Sequence, residues 1–358
     1  MNLNLMATLF PTGYGIVGYH VFKGLCDRGV NVSLFMMGNG AVPWADNAAI
    51  DAARRNSALF DPQAPCLKIW HQFSLADRVG RGKFIAFPIF ELDPLSKVDV
   101  HHMNSTDQIL VASHWAKAVC ERSGVTVPIS VVPLGADPAV FYPAPPRPPG
   151  GPCIFLNVGK WEVRKGHDVL VGAFNATFSE ADQVELWLLP ENFPHSAQEK
   201  NAWRDLYLNS KLGRAGKIKI CNPAESHVGL ADIMRQATCG VFPSRAEGFN
   251  LGLLEMMACG KPVIATNYSA HTEYCDAKNC LLIEGSRLVP AKDGRWFDGT
   301  RGNWLAWEDA QTQQLCQHMR HVYDHRQTGE NINQAGIATA RRLTWDQTVA
   351  TIIQAALA

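Results

Sequence analysis

No two cysteines in the chain are spaced Cys-x-x-Cys, although ten cysteines are present. The closest pair, Cys275 and Cys280, has no histidine framework around it. These absences argue against a structural zinc site and against a disulfide scaffold. The expectation is a reducing cytoplasm, with most cysteines serving as small core residues. Net charge is also missing, because 33 basic side chains balance 33 acidic ones. No overall field then draws nucleic acid or an anionic membrane, and no nucleic-acid partner is expected. No uninterrupted apolar run approaches membrane-spanning length. The stretch Met1–Phe10 has no basic region ahead of its apolar residues and reads as a first strand rather than a signal peptide. Asp-x-Asp occurs nowhere. Its nearest substitutes, Glu91-Leu92-Asp93 and Glu180-Ala181-Asp182, have a spacing too common to imply a metal.

What is present is alternation. Apolar runs such as Leu3–Phe10, Val30–Met36 and Gln108–Val111 alternate with amphipathic stretches such as Val17–Arg28, Pro94–Asn104 and His114–Ser123. The pattern predicts an α/β fold with parallel sheets covered on both faces. It is broken by six prolines in the ten residues from Pro143, with Gly150-Gly151 among them, which reads as a linker over 143–152. The alternation then resumes, with strands expected at Ile154–Val158, Glu185–Leu189, Cys239–Phe242 and Pro262–Thr266. The stretch Glu284–Asn303 reads as a long loop or hairpin. At 358 residues the chain suits two domains rather than one core. The division predicted is 1–142, the linker, 153–340, and a final segment 341–358.

Three motifs carry chemistry. Gly13-Tyr14-Gly15-Ile16-Val17-Gly18 has the spacing of a dinucleotide-binding turn, yet no Asp or Glu for a ribose occurs between Asp27 and Asp46. A glycine loop that lets substrate approach the backbone is preferred, and a tight turn that needs glycine for its geometry is the alternative. The second motif, Asn157 to Asp168, follows a strand and sets Lys160, Arg164 and Lys165 beside Gly159 at the edge where such sheets bind ligands. Fixed cations there would stabilise a departing diphosphate. The third runs from Pro243 to Glu255, a strand end followed by a helix opening. Backbone N–H groups around Phe249, Asn250, Leu251 and Gly252 form a ready anion site, with Glu247 ahead of it and Glu255 inside the helix. Glu255 lies in the apolar segment Leu253–Ala258, so it must find polar partners or face water.

Together these motifs resemble the retaining GT-B glycosyltransferases of glycosyltransferase family 4 type (glycosyl transferases group 1). The resemblance is specific over Asn157–Asp168 and Phe242–Thr266, looser over Ser113–Tyr142, and extends to the Thr344-Trp345 segment. It implies two Rossmann-like doubly wound domains with a cleft between them and a C-terminal helix crossing back to the first. The first domain would bind acceptor and the second the nucleotide sugar. It further implies that Lys165 grips the donor diphosphate, that Lys160 stands where the family commonly has arginine, and that Arg164 shares that role. Glu247 would hold the donor sugar's hydroxyls and Glu255 the ribose, with Gly15 and Gly159 also at the donor. Gly13, Tyr14, His71 and Glu91 are candidate sugar or acceptor contacts, Glu91 falling where many members have histidine.

The expected activity is hexosyl transfer from a UDP- or GDP-type sugar to an acceptor hydroxyl, with retention and without a metal or resident cofactor. The acceptor would be a glycan, a lipid-linked compound or a small molecule, the lipid case bringing peripheral membrane contact to a cytoplasmic protein. Rival readings are a non-catalytic sugar-nucleotide or glycan-binding protein, a phosphorylase on the same architecture, and an NAD-dependent oxidoreductase. Acceptor specificity is expected from Thr12–Tyr19, Gly38–Asp46 and His71–Arg81, with Trp44, Trp70 and Phe73 able to stack on sugar rings.

Overall fold

The computed structural model describes residues 1–38, 45–143, 150–190, 195–326 and 332–357. Trp44, much of the Gly38–Asp46 loop and the centre of the Pro-rich segment lie outside the described residues. The chain divides into two units. The first comprises Met1–Gly135 and Leu343–Ala358, and the second Ala136–Arg342. Ala136–Tyr142 therefore goes with the second unit rather than the first.

In the first unit, β1 (Asn2–Ala7), β2 (Asn31–Met36), β3 (Cys66–Lys68), β4 (Phe84–Ala86), β5 (Gln108–Val111) and β6 (Ile129–Val131) form a parallel sheet in the order β2-β1-β3-β4-β5-β6. Helices α1 (Gly13–Asp27), α2 (Asn47–Asn56), α3 (Lys97–Asn104) and α4 (His114–Ser123) make crossovers. The near-continuous apolar strands are accounted for by burial on both faces, as in β5, all of whose residues are buried. Helix α3 begins three residues later than the apolar pattern suggests, because Ser96 and Asp99 form a reciprocal capping box there.

The second unit repeats the plan. Here β7 (Cys153–Val158), β8 (Val184–Leu189), β9 (Ile218–Ile220), β10 (Cys239–Phe242), β11 (Val263–Thr266) and β12 (Leu281–Ile283) run parallel in the order β12-β11-β10-β7-β8-β9. Around them lie α5 (His167–Thr177), α6 (Ala197–Leu208), α7 (Lys211–Arg214), α8 (His227–Gln236), α9 (Leu251–Ala258), α10 (Asp309–His325) and α11 (Gln334–Arg342). The region read as loop or hairpin is an antiparallel pair, β13 (Leu288–Lys292) and β14 (Asp298–Leu305). Both parallel sheets are Rossmann-like and doubly wound.

The last helix, α12 (Trp345–Ile352), belongs to the first unit. Two glycines make room for it. A Cβ on Gly24 would come within 2.6 Å of Val349, and one on Gly135 within 2.1 Å of the Thr344 backbone. His20 stacks on Trp345 with centroids 4.5 Å apart, and Thr348 donates to the Pro133 carbonyl at 2.8 Å.

Candidate functional site

In the second sheet β7 lies between β8 and β10, so the order of travel reverses between β7 and β10. Loops leaving the carboxyl ends of two such strands diverge and leave a crevice where ligands bind. The β7–α5 loop carries Lys160 to Gly166, and the β10–α9 loop carries Pro243 to Asn250. Two of the three sequence motifs are thus brought together by topology.

The loops are knitted to one another. Gly166 has φ +76°, and a Cβ there would approach the Pro243 carbonyl oxygen to 2.2 Å, so only glycine fits. Arg245 donates its backbone N–H to the Arg164 carbonyl at 2.7 Å. Its guanidinium grips the Asp168 carboxylate through two contacts of 2.8 Å. Arg164 donates to the Ala246 carbonyl at 2.8 Å and to Glu247 Oε2 at 2.9 Å, and its other arm reaches Glu162 at 2.8 Å. Lys165 Nζ lies 2.8 Å from Glu247 Oε1 and 3.0 Å from Oε2. The Lys165 stem passes over Gly159, 3.3 Å from where a Cβ would be.

Glu162, Arg164, Lys165 and Glu247 form a chain of two carboxylates and two cations. Burial by itself would raise the Glu247 carboxyl, but Lys165 and Arg164 outweigh it and hold the group well below the usual carboxylate range. Glu162 is held down the same way, Arg164 and Lys160 overcoming its burial. Ser244 donates to Glu247 Oε1 at 2.7 Å, and the Glu247 N–H donates to Ser269 at 2.8 Å. Arg164 was expected to share in gripping the diphosphate. The structure buries it at 6% exposure between Glu162 and Glu247, whereas the Lys165 side chain keeps 17%. Lys165 is the cation of this pair with access to a ligand.

The helix opening at α9 is built as an anion cradle by residues further along the chain. Asn250, the residue before the helix, has φ +75°, a costly conformation for a non-glycine residue. His271 holds it. Its Nδ1 lies 3.0 Å from the Thr266 carbonyl, so Nδ1 donates there and Nε2 accepts from Asn250 Nδ2 at 2.9 Å. Tyr274 donates toward the Phe249 and Asn250 carbonyls at 2.7 and 2.9 Å. Phe249 is buried, while Leu251 and Gly252 at the first turn are half-buried. Glu255 is 4% exposed, which removes the reading of a merely solvated helix-face carboxylate. Sequence reasoning missed Glu162, Ser244, Asp168, Arg245, Ser269, His271 and Tyr274 as parts of the site.

His167 lies beneath the Gly159 loop, with Nε2 3.3 Å from the Gly159 carbonyl and Nδ1 3.0 Å from the Tyr207 hydroxyl. Burial pushes its pKa down to about 4, and that of His227 on α8 likewise to about 4. Both folded values lie below the ordinary histidine value, so between pH 6.5 and 4 the unfolded chain binds more protons. Stability therefore falls as pH drops through that window, by about 2 kcal/mol per histidine at pH 5. The depressed carboxylates stay charged there and give up their contribution only at lower pH. Denaturant melts are expected to lose about 4 kcal/mol between pH 7 and pH 5. His167→Gln should remove about half of that slope, and a flat profile would contradict neutral buried histidines.

The first-unit candidates gather at the carboxyl ends of β1 and β3, again neighbours at a reversal of strand order. Tyr14 packs on His71 and Trp70 with centroids 4.6 and 5.4 Å away, and His71 stacks on Phe73 at 5.0 Å. The Tyr14 hydroxyl donates to the Ile89 carbonyl at 2.7 Å and accepts from the Ile89 N–H at 3.0 Å. Burial, with nearby Glu91 adding to it, pushes the Tyr14 phenol up, so it stays protonated. Gly13 is exposed with open space around its α-carbon. Gly15, expected at the donor, is buried where a Cβ would come within 1.9 Å of the Phe10 carbonyl oxygen. Its lack of a side chain lets α1 start close against the Phe10 backbone.

Among the described residues, no group of three or more His, Cys, Asp and Glu side chains is placed to hold a metal ion. Among them, too, no helix is long and apolar enough to cross a membrane.

Residues 152–293 match the family model for glycosyl transferases group 1. The chain has the GT-B architecture, and the match to the glycosyl transferases group 1 model lies within its second unit. The fold is shared with sucrose-phosphate synthase from Thermosynechococcus elongatus, at TM-score 0.73 and 17% identity over 99% of this chain and 98% of that one. It is shared as well with Anabaena HepE in complex with UDP and glucose, at TM-score 0.70 and 15% identity over 99% of both chains. In sequence, the chain is 27% identical over 236 residues to a D-inositol 3-phosphate glycosyltransferase of Arthrobacter sp. (strain FB24), 63% of this chain and 49% of that protein. It is 35% identical over 133 residues to an uncharacterized glycosyltransferase of Methanocaldococcus jannaschii, covering 36% of this chain and 33% of that one. The chain spans about half the length, or less, of these sequence relatives.

Proposed function

We propose that the protein transfers a hexosyl group from a UDP- or GDP-type nucleotide sugar to an acceptor hydroxyl, keeping the anomeric configuration and using no metal. The observation that carries this reading is the Lys165 ammonium, held 2.8 Å from a buried Glu247 at a switch point that also presents the α9 helix opening. The diphosphate would rest on the N–H groups of Leu251 and Gly252, with Lys165 and Lys160 at its oxygens. Glu247 would face the sugar hydroxyls, Glu255 the ribose, and Gly159 would let the donor close on the backbone.

In the reaction the bond from the anomeric carbon to the phosphate oxygen breaks, and the acceptor oxygen bonds to that carbon on the same face. The acceptor's proton passes to the departing phosphate, whose developing charge Lys165 stabilises. Retention is carried over from the family resemblance, and the same-face route needs no protein nucleophile or base, since the departing phosphate takes the acceptor's proton. Independence from a metal rests on Lys165 and Lys160 supplying the positive charge. The fold neighbour HepE has been seen with UDP-glucose, which favours a uridine donor among the two. Ten free thiols suit a cytoplasmic setting, and a lipid-linked acceptor would bring the protein to a membrane surface.

Incubating the chain with UDP-glucose or GDP-mannose in EDTA should release nucleoside diphosphate. The matching nucleotide should raise the melting temperature. Nucleotide stabilisation with no release in the presence of a hydroxyl-bearing acceptor panel would instead indicate a binding protein. Dependence on inorganic phosphate would indicate a phosphorylase.

A further inference from the structure

Away from the Lys165–Glu247 pair, the second unit contains a cavity of about 200 Å³. It lies between the loop Trp161–Val163, the start of α6 and the tip of the β13–β14 hairpin. Drug-sized ligands occupy about 300–1,000 Å³, so this space suits a single small ring.

His195 lines the cavity and is 8% exposed, yet its Nδ1 has no hydrogen-bond partner among the described residues. Burial and the nearby Arg295 push the ring's pKa below its ordinary value, while the Trp161 backbone carbonyl occupies the other side of the ring. A neutral ring that donates to that carbonyl presents Nδ1 as an acceptor. A buried acceptor left unpaired is penalised, and a ligand hydroxyl would remove that penalty.

The rim is held in place. Asp293 Oδ1 accepts from the backbone N–H groups of Arg295, Trp296 and Phe297 at 2.8, 2.8 and 2.9 Å, which shapes the hairpin tip. The Arg295 guanidinium pairs with Glu199 and sits 4.7 Å from the Trp296 ring centroid. Glu199 also caps α6 by accepting from the Ser196 N–H at 2.7 Å. Of the indoles in the wall, Trp161 is buried and stacks within 6° of parallel on Trp203, and Trp296 is 51% exposed and offers its ring to a ligand. Acceptors beside indoles fit a molecule with outward hydroxyl donors and apolar C–H faces. The one lining guanidinium is already paired with Glu199, and Glu162 with Arg164, while Asp293 adds a further carboxylate, so the cavity holds no spare cation among the described residues for an anion.

We infer that this cavity is a second sugar subsite, taking one pyranose ring with a hydroxyl donated to His195 Nδ1 and its C–H face against the Trp296 indole. The sugar arrives free or as one unit of a longer glycan, and the chemistry at the cavity is the same.

Tryptophan fluorescence of the full chain, titrated with glucose, galactose, mannose, N-acetylglucosamine and glucose oligomers of two to four units, tests this. At least one sugar should give a saturable change that glycerol does not. An oligomer binding more tightly than its monomer identifies the glycan source, and equal affinities identify the free sugar. Trp296→Ala, an exposed position, should weaken binding about tenfold or more, and His195→Phe should do the same. Melting shifts with UDP and GDP are measured on the same samples. Sugar binding without nucleotide binding supports the subsite while counting against the donor reading. No response to any sugar, or unchanged affinity in Trp296→Ala and His195→Phe alike, overturns the subsite.

Discussion

Lys165→Ala is expected to cut turnover by about 100- to 1,000-fold while changing donor KM only a few-fold. The reasoning starts from where the ammonium is held. Glu247 anchors Nζ from one side through both oxygens, and the stem lies across Gly159, so the charge is placed before any donor arrives. A placed charge needs no reorganisation as negative charge grows on the leaving phosphate, so its benefit is larger in the transition state than in the ground state. Removing it leaves Glu247 with Arg164, Ser244 and the Ser269 contact, so the fold should survive. Steady-state kinetics beside a melting curve separate these effects. A variant that loses donor affinity and keeps kcat would assign Lys165 to binding alone.

Glu247→Gln should have the largest effect on stability. The carboxylate is 3% exposed and is the shared partner of two cations, one of them buried. Breaking a buried ion pair from one side costs about 3–5 kcal/mol, because the remaining charge stays out of water. For a unit of this size the melting temperature should fall by about 10 °C. Glutamine can still accept from Ser244, but its amide donors would face Arg164 and Lys165. Adding Arg164→Leu should deepen the loss, since Glu162, 2.8 Å from the same guanidinium, would then lose its own buried partner. A melting temperature within about 2 °C of the parent for Glu247→Gln would show that the network is solvated, and the argument from burial would fail.

The two site loops were legible because each is local. Glycine, cations and a glutamate fall within a dozen residues of a strand end, and strand ends announce themselves by apolar runs. The bond between Arg164 and Glu247 was not legible, since the partners are 83 positions apart. They meet only because β7 and β10 are neighbours in the sheet. Without that adjacency, Arg164 read as a second phosphate cation when it is a buried partner of two carboxylates. The scaffold of the α9 opening was hidden for the same reason, as His271 and Tyr274 act on Asn250 from more than twenty positions downstream. The need for glycine at Gly15 comes from the Phe10 backbone, which the G-x-G-x-x-G spacing does not reveal. Regular elements were read more readily. Helix α4 runs over His114–Ser123 as its pattern predicts, bounded by the Ser113 cap and by Gly124 at φ +99°.

The return of α12 to the first unit bears on the order in which the protein takes shape on the ribosome. The second unit is one continuous stretch, Ala136–Arg342, so all of it is made before Leu343 is reached. The first unit is begun earlier and finished later, because its Leu343–Ala358 piece is made after the whole of the second unit. Until then the surfaces beside Gly24 and Gly135, shaped for Val349 and the Thr344 backbone, stay open. A chain halted before Leu343 therefore carries that seam unfilled.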